Sequence, residues 1–265
     1  MDNRPIGIFD SGVGGLTVAA AVMKKLPHEE IIYFGDTARV PYGSKSKETI
    51  TKFSRQIMDY MLRRNVKMVI IACNTSSSNS YDLLTAMYRL PIQEVIMPGV
   101  RACLAATRSN KVGVIATEAT IRSGEYERRL RAARPGIEVY SKACPLFVPL
   151  VEEGWTSNQV AELTAREYLG DILERGIDSL LLGCTHYPLL YGCIQKVAGP
   201  GVNIVNPAET AAETAAEFLD ASGMRRVSAS APQYAFYVSD DTSKFKRTCQ
   251  LVMGTPYNAV KIELA

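Results

Sequence analysis

Two short apolar runs, each flanked by segments with helical periodicity, are the feature that most restricts how this 265-residue chain can fold. They are KMVIIA at 67–72 and DSLLLG at 178–183. A strand that is apolar on both faces is buried on both sides, as in the centre of a parallel sheet covered by helices. The runs therefore predict an α/β protein with parallel sheets. Each run ends at a cysteine, Cys73 or Cys184.

Strand and helix patterns alternate along the remainder of the chain. The other predicted strands are 6–9, 30–36, 94–99 (with a turn at its end), 111–117, 137–145 and 234–239. Helices are predicted before Lys25 and at 44–65, 78–89, 123–133, 157–176, 208–223 and 242–254. The helix at 157–176 is expected to be capped by Ser157 and Gly176.

The first and second parts of the pattern resemble each other. IGIFDS (6–11) aligns with VGVIAT (112–117), and VIIACNT (69–75) aligns with LLLGCTH (180–186). We interpret this as an internal repeat that builds two similar α/β domains with parallel-sheet cores. The predicted domains are 1–97 together with 207–265, and 98–206, with hinges near Pro98 and Pro207.

Polar residues follow several of the predicted strands. In open parallel sheets, ligands bind at the carboxyl ends of the strands. If the two domains face each other, Cys73 and Cys184 lie on opposite sides of a cleft between them. The polar groups expected at this cleft are Asp10-Ser11, Tyr42-Gly43, Cys73-Asn74-Thr75, Thr117 and Cys184-Thr185-His186.

Two facing thiols allow three kinds of chemistry: a redox dithiol, a metal site or two-sided proton transfer. A thiol has an ordinary pKa of about 8.5, which a neighbouring base or cation can lower. One thiolate can then take a proton from a carbon while the opposite thiol delivers one to the other face, which inverts a stereocentre without a cofactor. The absence of CxxC speaks against a redox pair, and the CxH spacing is unusual for zinc.

Four motifs follow one another along the chain, namely IGIFDSGVGGLTV (6–18), FGDTARVPYGSKS (34–46), ACNTSSS (72–78) and GCTHYPLL (183–190). Together they resemble the motifs of the glutamate racemase family. Aspartate racemases share the two cysteines but differ around them, and they remain, with hydantoin racemases, the nearest alternatives. A two-lobed amino-acid receptor is a third class of protein to consider, but such a receptor would have no need of two thiols.

The resemblance implies a two-domain fold with pseudo-twofold symmetry and an active site in the cleft between the domains. It also implies cofactor-independent racemisation of L- and D-glutamate, which supplies D-glutamate for peptidoglycan synthesis. The partners implied are glutamate and a second copy of the chain in a homodimer. No metal and no cofactor are expected.

The resemblance also assigns roles to individual residues. Cys184 would deprotonate L-glutamate and Cys73 would deprotonate D-glutamate. Asp10 would assist Cys73, and His186 would assist Cys184 with Glu152 nearby. The substrate-binding residues implied are Asp10, Ser11, Pro41, Tyr42, Gly43, Asn74, Thr75, Thr117, Thr185 and His186.

Composition excludes several other classes. The net charge is only +3, with Lys and Arg scattered among Asp and Glu, so no nucleic-acid partner is expected. GVGG at 12–15 does not match GxGxxG, the fingerprint of a dinucleotide-binding site. The phosphate-binding motif GxxxxGK[ST] is not present either. No apolar run approaches the ~20 residues of a membrane span, and the start has no signal-peptide pattern, so we expect a cytoplasmic protein with free thiols. Four cysteines are expected to be packing residues: Cys103, Cys144, Cys193 and Cys249.

Overall fold

The computed structural model describes residues 1–264, which form two separate β-sheets flanked by helices. All strand pairs in both sheets are parallel, which confirms the predicted fold class. The larger sheet has six strands, namely β1 (Ile6–Asp10), β2 (Ile31–Gly35), β3 (Met68–Ile71), β4 (Ile92–Glu94), β9 (Tyr234–Val238) and β10 (Ala259–Lys261). The smaller sheet has four, namely β5 (Lys111–Ala116), β6 (Glu138–Ala143), β7 (Ser179–Gly183) and β8 (Asn203–Val205).

The strand orders of the two sheets reveal the internal repeat. The larger sheet runs β10-β9-β2-β1-β3-β4 and the smaller runs β6-β5-β7-β8. The order β2-β1-β3-β4 is therefore repeated as β6-β5-β7-β8, in which β1 corresponds to β5 and β3 to β7. These are the strands that the sequence repeat aligned. We call the larger sheet with its helices the first lobe and the smaller sheet with its helices the second lobe.

Helices cover the faces of both sheets, as parallel pairing requires. Their bounds are α1 (Leu16–Lys25), α2 (Lys47–Arg63), α3 (Asn74–Met87), α4 (Ile96–Ala106), α5 (Glu118–Ser123), α6 (Glu125–Ala133), α7 (Phe147–Glu152), α8 (Gln159–Leu173), α9 (Tyr191–Ala198), α10 (Pro207–Ala221) and α11 (Thr242–Met253). A 3₁₀ turn (Tyr187–Leu190) precedes α9.

The C-terminal segment returns to the first lobe. Alanines of α10 pack with α1 in the core beside β1, and β9 pairs with β2. The larger sheet thus draws on residues 6–94 and 234–261, and the smaller one on 111–205. The exact domain boundaries at 97/98 and 206/207 stay a prediction.

The segment around Pro98 was predicted wrongly. It was expected to be a strand ending in a turn, but the strand is Ile92–Glu94 and helix α4 begins at Ile96. Proline is tolerated in the first turn of a helix, where its missing N–H would have no partner. The Glu94 carboxylate accepts hydrogen bonds from the backbone N–H groups of Ile96 and Met97, so it caps this helix start.

Three other helices differ in detail from the prediction. Helix α3 begins at Asn74 rather than at residue 78, because Cys73 is itself the cap. Asn158, not Ser157, caps α8 through a 2.9 Å hydrogen bond from the N–H of Ala161. The predicted helix 123–133 is broken at Gly124, whose φ of +68° suits glycine.

A buried ion pair ties the N-terminal segment and the segment after α10 to the first sheet. Nζ of Lys67, just before β3, lies 2.5 Å from the Glu29 carboxylate and donates to the carbonyls of Asp2 and Met224. Both charged side chains are almost completely buried. Burial of this kind is tolerated only with a full set of partners, which this site provides.

None of the helices in residues 1–264 combines the length and the apolar character needed to cross a bilayer.

Candidate active site

Each lobe places one cysteine at the point where its strand order changes direction. From β1 the chain moves to β2 on one side and later to β3 on the other, and β5, β6 and β7 are related in the same way. Such switch points form crevices at the carboxyl ends of the strands. Cys73 follows β3 and Cys184 follows β7. Both thiols are free and buried, and both line one cavity between the lobes.

Cys73 is held by the start of helix α3. Its sulfur accepts a 3.4 Å hydrogen bond from the N–H of Ser76, and its S–H donates to Oγ of Ser11 at 3.3 Å. Burial, followed by the nearby charge of Asp10, raises the pKa of Cys73 to about 11. This thiol therefore holds its proton at neutral pH.

Cys184 has a different neighbour, the imidazole of His186. The Cys184 sulfur lies 4.0 Å from Nδ1 of His186, and Nε2 of the same ring lies 3.7 Å from the Glu152 carboxylate. Burial opposes a charged ring, but Cys184, Glu152 and Asp10 outweigh it and raise the pKa of His186 to about 10. A positively charged ring therefore lies beside the Cys184 sulfur.

Glu152 reaches this ring from the end of helix α7. At 3.7 Å its carboxylate forms an ion pair with His186 that is longer than a hydrogen bond. Burial opposes the charged carboxylate, but His186 and then Lys244 hold the pKa of Glu152 below its usual range. Glu153 is exposed, so of the two adjacent glutamates only Glu152 approaches the site.

Asp10 connects the two lobes behind the cavity. Its fully buried carboxylate accepts hydrogen bonds from the N–H of Gly12 and, at 3.2 Å, from the hydroxyl of Thr185 in the second lobe. Burial raises the pKa of Asp10, which the charge on His186 partly offsets. Asp10 is therefore adjacent to both halves of the site without lining the cavity.

Close backbone approach explains two glycines of the motifs. A Cβ atom on Gly14 would lie 2.5 Å from Nδ1 of His186 and 2.6 Å from Oγ1 of Thr185. A Cβ atom on Gly43 would lie 2.6 Å from Cβ of Thr117. Separations this short are excluded for real side chains, so both positions let first-lobe backbone contact second-lobe side chains.

Hydroxyl groups form a further contact between the lobes. Oγ1 of Thr75 lies 2.9 Å from Oγ1 of Thr117 and 3.2 Å from Oγ1 of Thr120. Thr117 and Thr120 are also 3.0 Å apart, which closes a triangle of three hydroxyls. The backbone N–H of Ala119 donates to the carbonyl of Gly43 at 2.8 Å.

Tyr42 is fixed by a carboxylate beneath it. Its hydroxyl donates to Asp36, which is fully buried and also accepts from Arg39 at 2.7 Å and from Ser239 at 2.8 Å. Burial raises the pKa of Tyr42 well above its usual value, so the phenol stays protonated. Asp36 therefore supports Tyr42 from outside the cavity.

The structure brings the predicted site residues together, apart from Asp10 and Glu152, which lie just behind the cavity. Sequence reasoning missed Val40 and Val148, which complete the apolar part of the cavity lining. Val40 directly precedes the predicted Pro41-Tyr42-Gly43, whereas nothing in the sequence pattern marks Val148. The predicted residues that line the cavity are Ser11, Pro41, Tyr42, Gly43, Cys73, Asn74, Thr75, Thr117, Cys184, Thr185 and His186.

Comparison with known proteins gives one consistent family. A family model described as Asp/Glu/Hydantoin racemase matches residues 16–215. A glutamate racemase from Geobacter metallireducens is 48% identical over 251 residues, which cover 95% of this chain and 93% of that protein. The chain belongs to the glutamate racemase family.

Solved structures of glutamate racemases agree with this assignment over the whole chain. The Francisella tularensis enzyme in complex with D-glutamate has a TM-score of 0.93 and 41% identity, and the match covers 100% of this chain and 99% of that one. The glutamate racemase isoform from Bacillus anthracis has a TM-score of 0.95 and 33% identity, with the same coverage. The resemblance seen in the four motifs is thereby confirmed, and this member of the glutamate racemase family is an amino-acid racemase.

Proposed function

We propose that this enzyme interconverts L- and D-glutamate without a cofactor, using Cys73 and Cys184 as opposed acid and base. The observation that carries the proposal is the position of the two thiols. They follow equivalent strands of two repeated half-sheets and line the same cavity. A substrate carbon held between them would have one thiol on each face.

In the direction from L to D, the Cys184 thiolate takes the α-proton and becomes a thiol. The electron pair remains on the α-carbon and its carboxylate. The Cys73 thiol then gives its proton to the opposite face of the carbon and becomes a thiolate. The reverse direction exchanges these roles, and each proton transfer by a positioned acid or base contributes about 10²–10⁴-fold in rate.

The cavity offers groups that match the charges of glutamate. Helix α3 begins at Asn74 directly behind Cys73, and the N-terminus of a helix attracts anions such as carboxylates. Hydroxyls of Ser11, Thr75 and Thr185 can donate to carboxylates or accept from the ammonium group. Donors that are already in place stabilise the negative charge that develops near the α-carboxylate.

The biological setting completes the proposal. On the resemblance to its family, the enzyme supplies D-glutamate for peptidoglycan synthesis in the cytoplasm, as a homodimer. Sedimentation velocity on the purified protein measures the oligomeric state, and a monomer would contradict that part.

The first test uses D-glutamate and the purified protein in D2O with no added cofactor. We expect the circular dichroism of D-glutamate to decay to zero while deuterium enters the α-carbon. An unchanged signal with reduced thiols would refute glutamate as the substrate, and activity on aspartate would then indicate a related racemase with another specificity.

The second test addresses the thiols. Cys73→Ser and Cys184→Ser replace each sulfur by a far weaker acid and base, so each should lower kcat/KM by at least about 10²-fold. The matched control is Cys193→Ser, because Cys193 is also buried but only donates to the carbonyl of Thr156. Full activity in either of the first two variants would contradict the two-thiol mechanism.

A further inference from the structure

A tyrosine of the second lobe bonds to a cavity residue of the first lobe. Tyr126 lies in helix α6, and its hydroxyl is 2.5 Å from Oδ1 of Asn74, the first residue of helix α3. Both residues are buried, with exposed fractions of 3% and 4%. Asn74 lines the cavity, whereas Tyr126 does not. Tyr126 was not among the residues predicted from the sequence.

The ring of Tyr126 packs closely against two glycines. A Cβ atom on Gly99 would lie 3.1 Å from both Cε1 and Oη of this ring, and one on Gly183 would lie 3.0 Å from Cε2. Gly183 is the last residue of β7 and directly precedes Cys184. The ring therefore packs against the strand end that carries the second thiol, and its hydroxyl points across to the first lobe.

The bond fixes which end of the Asn74 amide faces Tyr126. Burial raises the pKa of Tyr126 well above its usual value, so its hydroxyl keeps the proton that it donates. A separation of 2.5 Å fits an O–H···O bond, since N–H···O bonds are longer, about 2.7–3.2 Å. The Tyr126 hydroxyl thus donates to the carbonyl oxygen of the amide, which leaves the NH₂ group of Asn74 as the donor that can face the cavity.

We propose that Tyr126 is a positioning residue that turns the NH₂ group of Asn74 toward a carboxylate of the bound substrate. The proposal rests on glutamate as the proposed substrate. Because Asn74 and Tyr126 belong to different lobes, the donor is oriented only when the lobes are together. Without the hydroxyl, the amide can rotate and present its carbonyl oxygen, which repels a carboxylate.

The first test is a double-mutant cycle on racemisation of glutamate. Tyr126→Phe keeps the ring and should raise KM about tenfold, the loss of roughly one oriented hydrogen bond, with a smaller change in kcat. In an Asn74→Ala background, the same change should lower kcat/KM less than about threefold, because the group that Tyr126 orients is gone. An equal loss in both backgrounds would overturn the proposal.

A second variant tests the orientation without touching Tyr126. Asn74→Asp keeps an oxygen for the Tyr126 hydroxyl but replaces the NH₂ donor with a negatively charged acceptor. We expect kcat/KM to fall more than about 10²-fold, since a buried like charge would face the substrate carboxylate. Retained or improved activity would show that the amide oxygen faces the substrate ammonium instead, which contradicts the proposal.

Tyr187→Phe is the matched control. It removes another fully buried hydroxyl of the second lobe, one that donates to the carbonyl of Cys144 at 2.8 Å rather than to a cavity residue. It should lower the thermal midpoint while KM stays within about twofold. If the unaltered enzyme itself fails to racemise glutamate, the proposed function fails, and that outcome is distinct from an additive cycle in an active enzyme.

Discussion

Gly14 offers a sharp test of how closely the lobes must meet, because Gly14→Ala adds one methyl group between them. Its Cβ would lie 2.5 Å from Nδ1 and 2.8 Å from Cε1 of His186, and 2.6 Å from Oγ1 of Thr185. The backbone at Gly14 is not in the left-handed region, so alanine is compatible with its conformation. The substitution therefore acts through contacts with the second lobe alone.

The size of the effect follows from the overlap. Non-bonded heavy atoms sit about 3.5–4.0 Å apart at their optimum, so His186 must move by about 1 Å relative to residue 14. Overpacking of this kind costs about 1–3 kcal/mol of stability. A displacement of about 1 Å at a reacting group can cost about 10²-fold in rate. We therefore expect kcat/KM to fall about 10²-fold in both directions.

The assay follows the circular dichroism of L- and D-glutamate, with thermal unfolding to show that the variant is folded. The matched control is Gly12→Ala in the same loop, where the nearest atom, Cγ2 of Val40, is 3.4 Å away, an ordinary contact. Its kcat/KM should stay within about threefold. A folded Gly14→Ala enzyme with full activity would refute the reasoning that His186 must be held at its observed position.

Three other changes give separate predictions. Glu152→Gln removes a negative charge that favours the His186 imidazolium, so the pKa of His186 should fall from about 10. The alkaline limb of the pH–kcat/KM profile should then move to lower pH. An unmoved limb would contradict the electrostatic coupling between Glu152 and His186. Lys67→Met leaves the buried Glu29 carboxylate without its cation, so urea denaturation should show a loss of about 3–5 kcal/mol, and a neutral result would refute this. Burial opposes the charged form of Asp178, but a threonine hydroxyl and backbone N–H groups keep its pKa well below its usual range, so its stabilisation is present above about pH 4 and lost below it. Asp178→Asn should flatten the acid side of the stability profile, and an unchanged slope would count against that role.

Much of the fold could be predicted because it depends on local patterns. Apolar runs such as 178–183 identify central strands, and the polar residue after each run marks a strand end. Since parallel strands bring their carboxyl ends to one edge, Cys73 and Cys184 could be placed at the cavity from the sequence alone. The repeat predicted that the two edges would be alike, and the identical strand orders confirm it.

The remaining features depend on contacts between distant segments. Nothing around Tyr126 indicates that its hydroxyl reaches Asn74, 52 residues earlier. The role of Asp36 follows from Tyr42 and from Ser239, 203 residues later. The error at Pro98 arose for a related reason, because a proline near a strand reads as a turn, whereas the Glu94 carboxylate makes it a helix start.

The two thiols are equivalent in the fold but not in charge, and this has a consequence for the proposed mechanism. Burial and Asp10 keep the proton on Cys73, whereas Cys184, the proposed base for L-glutamate, lies beside the His186 imidazolium. Enantiomers have equal free energies in water, so kcat/KM must be the same in both directions at equilibrium. The unequal surroundings can therefore change kcat in one direction only if KM in that direction changes by the same factor. A cavity with unlike walls is compatible with racemisation, and its asymmetry should appear as a parallel difference in kcat and KM.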